Sequence, residues 1–165
     1  VNYFENSNTN ACQSCDSSCT YCSGSSSSEC TACTGTLALY NGTCIEDCPD
    51  SYYEATSTHT CEPCHSSCFN CDGPSLSECT ACTSSKALYG TKCYEDCPLI
   101  GYFENTGSHT CDSCDSTCYK CSGSGSNQCT ECNGTRAFYN NECLETCPTS
   151  TFNNTSTHTC DVCAS

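Results

Sequence analysis

No stretch of the chain keeps apolar residues at helical spacing for the roughly 11 residues that a helix call needs, so the pattern predicts little or no helix. What recurs is short. Residues 37–40 and 43–46 are β-prone runs on either side of Asn41-Gly42, the strongest short signal for a hairpin. Equivalent runs turn at Gly90 and at Asn140-Asn141, residue types that accept positive φ. A second hairpin fits Tyr52-Tyr53 against residues 59–61, across a Ser/Thr-rich turn. Residues 23–28, 73–77 and 122–127 are Ser, Gly and Pro loops. The longest weakly apolar run, around Leu37-Ala38-Leu39-Tyr40, is strand-sized and too short to cross a bilayer.

Cysteine organises these pieces. The chain has 165 residues and 26 cysteines. From Cys12 the spacing is C-x2-C-x3-C-x2-C-x7-C-x2-C-x10-C-x3-C-x12, and it then restarts at Cys61, Cys111 and Cys160. A fixed period carrying one set of anchors marks a repeat array. The organisation read from it is a tail of a preceding repeat (1–11), three cysteine-rich repeats (12–60, 61–110 and 111–159) and the start of a further one (160–165). The wording between cysteines repeats too. Residues 57–61 (Ser-Thr-His-Thr-Cys) match 156–160, and Glu46-Asp47-Cys48-Pro49 matches Glu95-Asp96-Cys97-Pro98 and Glu145-Thr146-Cys147-Pro148. The expected fold is small and disulfide-rich, an elongated tandem array of short β-hairpins.

Composition explains the need for cross-links. There is no Met and no Trp, and the 36% hydrophobic content includes the cysteines. A unit of this size and composition buries too little apolar surface to offset chain entropy of roughly 1.5 kcal/mol per residue. CxxC pairs also occur in zinc ribbons, but eight cysteines per repeat in mixed spacings do not resolve into four-ligand sets. Nineteen acidic residues against four basic ones give a net charge of −15, which repels nucleic acid. N-glycosylation sequons begin at Asn41, Asn133, Asn153 and Asn154. Together these place the chain outside the cell or at its surface, with disulfides, covalent glycans and neither metal nor cofactor. Asn41 and Asn133 are both expected in exposed hairpin turns, and only one of Asn153 and Asn154 is expected to be occupied.

The cysteine order, with Cys-Pro followed by an aromatic pair, resembles the furin-like cysteine-rich repeat of growth-factor receptor ectodomains. The Ser/Thr/Asn-rich, Lys-poor wording resembles most the cell-surface proteins of protists of the ciliate type. The resemblance covers essentially the whole chain. Spacing alone leaves 105 pairings of eight cysteines open. The resemblance implies one: Cys15–Cys22, Cys19–Cys30, Cys33–Cys44 and Cys48–Cys61, then Cys64–Cys71, Cys68–Cys79, Cys82–Cys93 and Cys97–Cys111, then Cys114–Cys121, Cys118–Cys129, Cys132–Cys143 and Cys147–Cys160. In that scheme Cys33–Cys44 staples the two strands around Asn41-Gly42. Cys12 and Cys163 are left for bonds between copies or between subunits.

Other residues carry less. His59, His109 and His158 lie one repeat apart, so they do not converge on one ion, and a hydrogen-bonding role on the hairpin surface outweighs a metal or pH-sensing one. His65 has no counterpart. The pairs Glu46-Asp47 and Glu95-Asp96 lack a calcium-loop frame and read as a solvated acidic face. Tyr3-Phe4, Tyr52-Tyr53 and Tyr102-Phe103 read as cover for the disulfides ahead of a partner-binding ladder. No catalytic set stands out, so no enzymatic activity is expected. The preferred reading is a structural extracellular protein, a glycosylated segment of a surface coat, stalk or filament joined head-to-tail with copies of itself or with further repeats of the same chain. The alternative is a ligand- or receptor-binding module of an extracellular signalling protein.

Overall fold

The computed structural model describes residues 2–83 and 85–163. Among them there is no helix, only strands of three or four residues joined by turns. The chain divides into two compact units, Val1–Thr83 and Ser84–Ser165.

In the first unit β1 (Tyr3–Asn6) and β2 (Ala11–Ser14) form a hairpin with Glu5 opposite Cys12. Next come β3 (Cys19–Cys22) and β4 (Cys30–Cys33), a hairpin the hydrophobic pattern did not announce, because its strands read C-x-x-C and its loop fills the x7 gap. Its register slips between Cys19 and Tyr21 and again before Cys22, so the ladder is bulged. Then β5 (Ala38–Tyr40) and β6 (Thr43–Ile45) turn at Asn41-Gly42, with φ of 46° and 80°. Two consecutive positive φ values make the mirror-type turn that matches strand twist. Gly42 is required twice over, since a Cβ there would stand 2.5 Å from the Ser28 carbonyl oxygen. Its own carbonyl accepts the Cys30 amide at 2.8 Å, tying this turn to the start of β4.

The hairpin of β7 (Tyr52–Ala55) and β8 (Thr60–Pro63) follows, one residue later than residues 59–61 implied, with His59 in its turn. β8 also pairs in parallel with β5 at Leu39 and Thr60, giving a four-stranded sheet in the order β6-β5-β8-β7. The unit closes with β9 (Cys68–Cys71) and β10 (Cys79–Cys82), the counterpart of the bulged hairpin.

The second unit repeats the plan. β11 (Ala87–Tyr89), β12 (Lys92–Tyr94), β13 (Tyr102–Asn105) and β14 (Thr110–Ser113) form a sheet in the order β12-β11-β14-β13. β15 (Cys118–Cys121) and β16 (Cys129–Cys132) form the bulged hairpin. β17 (Ala137–Tyr139), β18 (Glu142–Leu144), β19 (Thr151–Asn154) and β20 (Thr159–Val162) form the last sheet. Its β17–β18 turn uses Asn140 and Asn141 at φ of 48° and 65°.

The core is sulfur and alanine. The buried hydrophobic residues are cysteines such as Cys19, Cys79 and Cys129, together with Ala38, Ala87 and Ala137, each at 0% exposure. Within the run 37–40 only the alanine is fully buried, and the two leucines are partly buried. Several larger apolar side chains lie outside: Leu76, Leu99 and Ile100 are exposed. In two of the three aromatic pairs the first ring packs edge-to-face on a neighbouring tyrosine, Tyr52 on Tyr40 at 5.0 Å and Tyr102 on Tyr89 at 4.8 Å, whereas Tyr3 is exposed. In the last sheet Thr151 stands in that place and its hydroxyl donates to the Pro148 carbonyl at 2.7 Å.

Candidate functional site

The disulfides are Cys15–Cys22, Cys19–Cys30, Cys33–Cys44 and Cys48–Cys61, with Cys64–Cys71 and Cys68–Cys79, in the first unit. In the second they are Cys97–Cys111, Cys114–Cys121, Cys118–Cys129, Cys132–Cys143 and Cys147–Cys160. Cys82 and Cys93 are disulfide-bonded as well. The first two bonds of each repeat interlock around the bulged hairpin. Cys33 ends β4, so Cys33–Cys44 joins that hairpin to β6. It does not link the two strands around Asn41-Gly42, because Leu39 and not Cys33 lies opposite Cys44. Cys48–Cys61 ties the segment after β6 to β8, on both sides of the phase boundary at 60/61.

Cys12 and Cys163 are free and exposed. Each stands where its counterparts are bonded. Cys12 lies opposite Glu5, as Cys61 lies opposite Glu54 and Cys111 opposite Glu104. The Cys163 amide donates to the Ser150 carbonyl, as the Cys64 amide does to Ser51 and that of Cys114 to Gly101.

The recurring histidines prove to be turn residues. His59, His109 and His158 have φ of 52°, 54° and 55°, and Asn10 holds the same place before Cys12 at 50°. Histidine and asparagine are among the few side chains enriched in this left-handed region. The carbonyls of the three histidines accept the amides of Leu39, Leu88 and Phe138 at 2.7, 2.8 and 2.7 Å. Their rings differ in surroundings. His59 Nδ1 meets Glu54 Oε1 at 2.7 Å, whereas His109 Nδ1 is buried with no partner. His65 Nδ1 accepts the Ser67 amide at 3.2 Å, in the place where Asp16 and Asp115 cap the same turn. Among the described residues no group of three or more His, Cys, Asp or Glu side chains is placed to hold a metal ion. They form no helix long and apolar enough to cross a membrane.

The sequon asparagines occupy different settings. Asn41 sits in the β5–β6 turn, exposed. Asn133 is exposed too, but lies in the connection from β16 to β17 and not in a hairpin turn; its amide donates to the Thr117 carbonyl at 3.0 Å. Asn153 is exposed. Asn154 is committed at both ends of its side chain: Nδ2 donates to Asp161 Oδ2 at 2.6 Å and Oδ1 accepts the Ser156 amide at 3.0 Å. Asn105 makes the same two bonds to Asp112 and Gly107.

Two groups of acidic residues contrast. Glu46, Asp47, Glu95 and Asp96 are exposed around the Cys-Pro turns. Four aspartates are instead bonded locally. The Ser18 amide and hydroxyl hold the Asp16 carboxyl below its ordinary range, and the Thr117 hydroxyl and amide do the same to Asp115. Asn105 and Thr110 lower Asp112, and Asn154 and Thr159 lower Asp161.

These features define a disulfide-rich repeat array of tandem hairpins. Cross-linking at this density persists in oxidising compartments, so the class is one of secreted or extracellular modules. No protein-family model matches the sequence, and no curated protein matches it.

Proposed function

We propose that the chain is a structural, non-enzymatic segment of a glycosylated extracellular coat, stalk or filament, extended by head-to-tail repetition of its hairpins. The observation that carries this reading is the β1–β2 hairpin. It has the register of β7–β8 and β13–β14, but lacks what those hairpins receive from the preceding hairpin of their own sheets. Cys12 is free where Cys61 and Cys111 are bonded. Tyr3 is 66% exposed where Tyr52 and Tyr102 pack on another tyrosine. An element like β5–β6 with its following Cys-Pro turn supplies all of this at once, whether from further repeats of the same polypeptide or from a second copy. Contacts repeated by one rotation and rise that do not close give an open filament.

The test is electron microscopy of the native, non-reduced material together with disulfide mapping of Cys12 and Cys163. Filaments or extended arrays, with Cys12 bonded to a Cys48-like partner, are expected. Isolated small particles in which both thiols alkylate freely would overturn the reading. The binding-module alternative rests on Leu99 and Ile100, 79% and 54% exposed in a turn where the other repeats carry the single residues Asp50 and Thr149 between Cys-Pro and the positive-φ serine.

A further inference from the structure

A groove of about 520 Å³ opens on the second unit between the bulged hairpin and the last sheet, lined by Tyr119, Glu131, Asn133, Phe138 and His158 among others. Its volume falls within the roughly 300–1,000 Å³ of small-ligand sites. Phe138 forms part of its floor and packs against the buried sulfurs of Cys118, Cys129 and Cys143. The Phe138 amide is held by the His158 carbonyl at 2.7 Å, so the ring is fixed by both sheet and core. Tyr119 forms another wall, with Lys120 Nζ 5.8 Å from its ring centroid and anchored to Glu131 at 2.6 Å. Asn133 lies at the groove, and beside it Gly134 faces open space.

We infer that this groove is the seat of the N-glycan carried by Asn133, whose first N-acetylglucosamine lies against Tyr119 and Phe138. This rests on the glycosylated reading of the chain and adds where one sugar goes. Pyranose rings present C–H faces, and an N-acetyl group presents a methyl. Both gain from leaving water for an aromatic face. The ring hydroxyls and acetamido group remain in reach of polar partners at Glu131, Thr157 and His158 along the same walls.

The repeats supply an internal comparison. In the first repeat the places of Tyr119, Asn133 and Phe138 are taken by Thr20, Thr34 and Leu39, and there is no sequon at Thr34. The Thr20 hydroxyl there turns inward, donating to the Cys33 carbonyl at 2.7 Å. In the second repeat they are Phe69, Thr83 and Leu88, again with no sequon. Only the repeat that carries the sequon carries aromatic residues at both wall positions. Asn41, at a hairpin tip, lines neither the groove at Tyr52-Tyr53 nor the one at Phe4-Glu5 on the first unit.

The experiment uses the full chain secreted from a glycosylating eukaryotic host, compared with Tyr119→Thr/Phe138→Leu, which installs the first repeat's residues and leaves the sequon intact. Folding of the variant is checked by its non-reducing disulfide map. The expected result has three parts: a glycan on Asn133 by peptide mapping; an upfield, ring-shifted N-acetyl methyl signal with contacts to Tyr119 and Phe138; and trimming by endoglycosidase about fivefold slower than at Asn41. In the variant the shift disappears and the two trimming rates converge. An occupied Asn133 whose methyl is unshifted and whose trimming matches Asn41 overturns the seating while leaving glycosylation intact. A bare Asn133 overturns both.

Discussion

The amide of Leu39 donates to the carbonyl of His59 at 2.7 Å, and around this bond two hairpins become one four-stranded sheet. The bond depends on the conformation of its acceptor. His59 turns its carbonyl toward β5 because its φ is 52°. Leu88 with His109 and Phe138 with His158 repeat the arrangement at 2.8 and 2.7 Å. The recurring histidine is therefore a backbone device.

His158→Asn should keep stability within about 0.5 kcal/mol, since asparagine tolerates the left-handed region, whereas His158→Val should cost about 1–2 kcal/mol. Denaturant unfolding of both variants under non-reducing conditions measures this. Equal losses in the two would remove the conformational explanation.

Ala38, Ala87 and Ala137 are fully buried. A larger side chain must displace its neighbours in a backbone pinned by disulfides, so relaxation is limited. Ala137→Leu should destabilise by about 1–3 kcal/mol and lower the yield of correctly bonded protein. A variant as stable and as uniformly bonded as the parent would show that the site has slack. The exposed Leu76→Ala, by contrast, should be silent within about 0.5 kcal/mol.

Of the two overlapping sequons Asn153 is the expected acceptor, because both ends of the Asn154 side chain already hold the β19–β20 turn. Asn153→Gln should abolish glycosylation of this segment. Asn154→Gln should leave the sugar in place but cost roughly 1 kcal/mol through the lost turn bonds. Glycopeptide mass spectrometry separates the cases, and a sugar found on Asn154 in the parent chain would contradict the assignment.

Acid should loosen the turns. Asp16, Asp112, Asp115 and Asp161 are each more acidic folded than unfolded. Their contribution is fully present above the unfolded carboxyl value of about 3.9 and is lost as pH falls through the lower folded values. The melting temperature under non-reducing conditions should therefore be flat from about pH 6 to 8 and decline below about pH 4. A melting temperature that holds or rises below pH 4 would mean that relief of the net charge of −15 outweighs these bonds.

The hairpins at Asn41-Gly42 and Asn140-Asn141 were legible in the sequence because a two-residue turn is a local event: the φ signs it needs are offered by the two residues themselves. The repeat and the absence of helix were legible for a similar reason, since period is a property of the sequence. The bulged hairpin β3–β4 was not, because its strands are held by interlocked disulfides and carry no alternating apolar face. The full burial of Ala38 between the partly buried Leu37 and Leu39 was not, because which residue of a short run is enclosed depends on what packs over it. Nor was the setting of Asn133, where a sequon looks the same in a hairpin turn or a connection. The parallel pairing of Leu39 with Thr60 belongs to the tertiary structure alone, and the cysteine partners were implied by the resemblance to a repeat family and not by spacing. Spacing leaves every cysteine within reach of several others, and only the fold brings chosen Cα pairs to 5.1–5.7 Å. Local chemistry sets turns and period; contacts between residues distant in the chain are decided by where the packed backbone puts them.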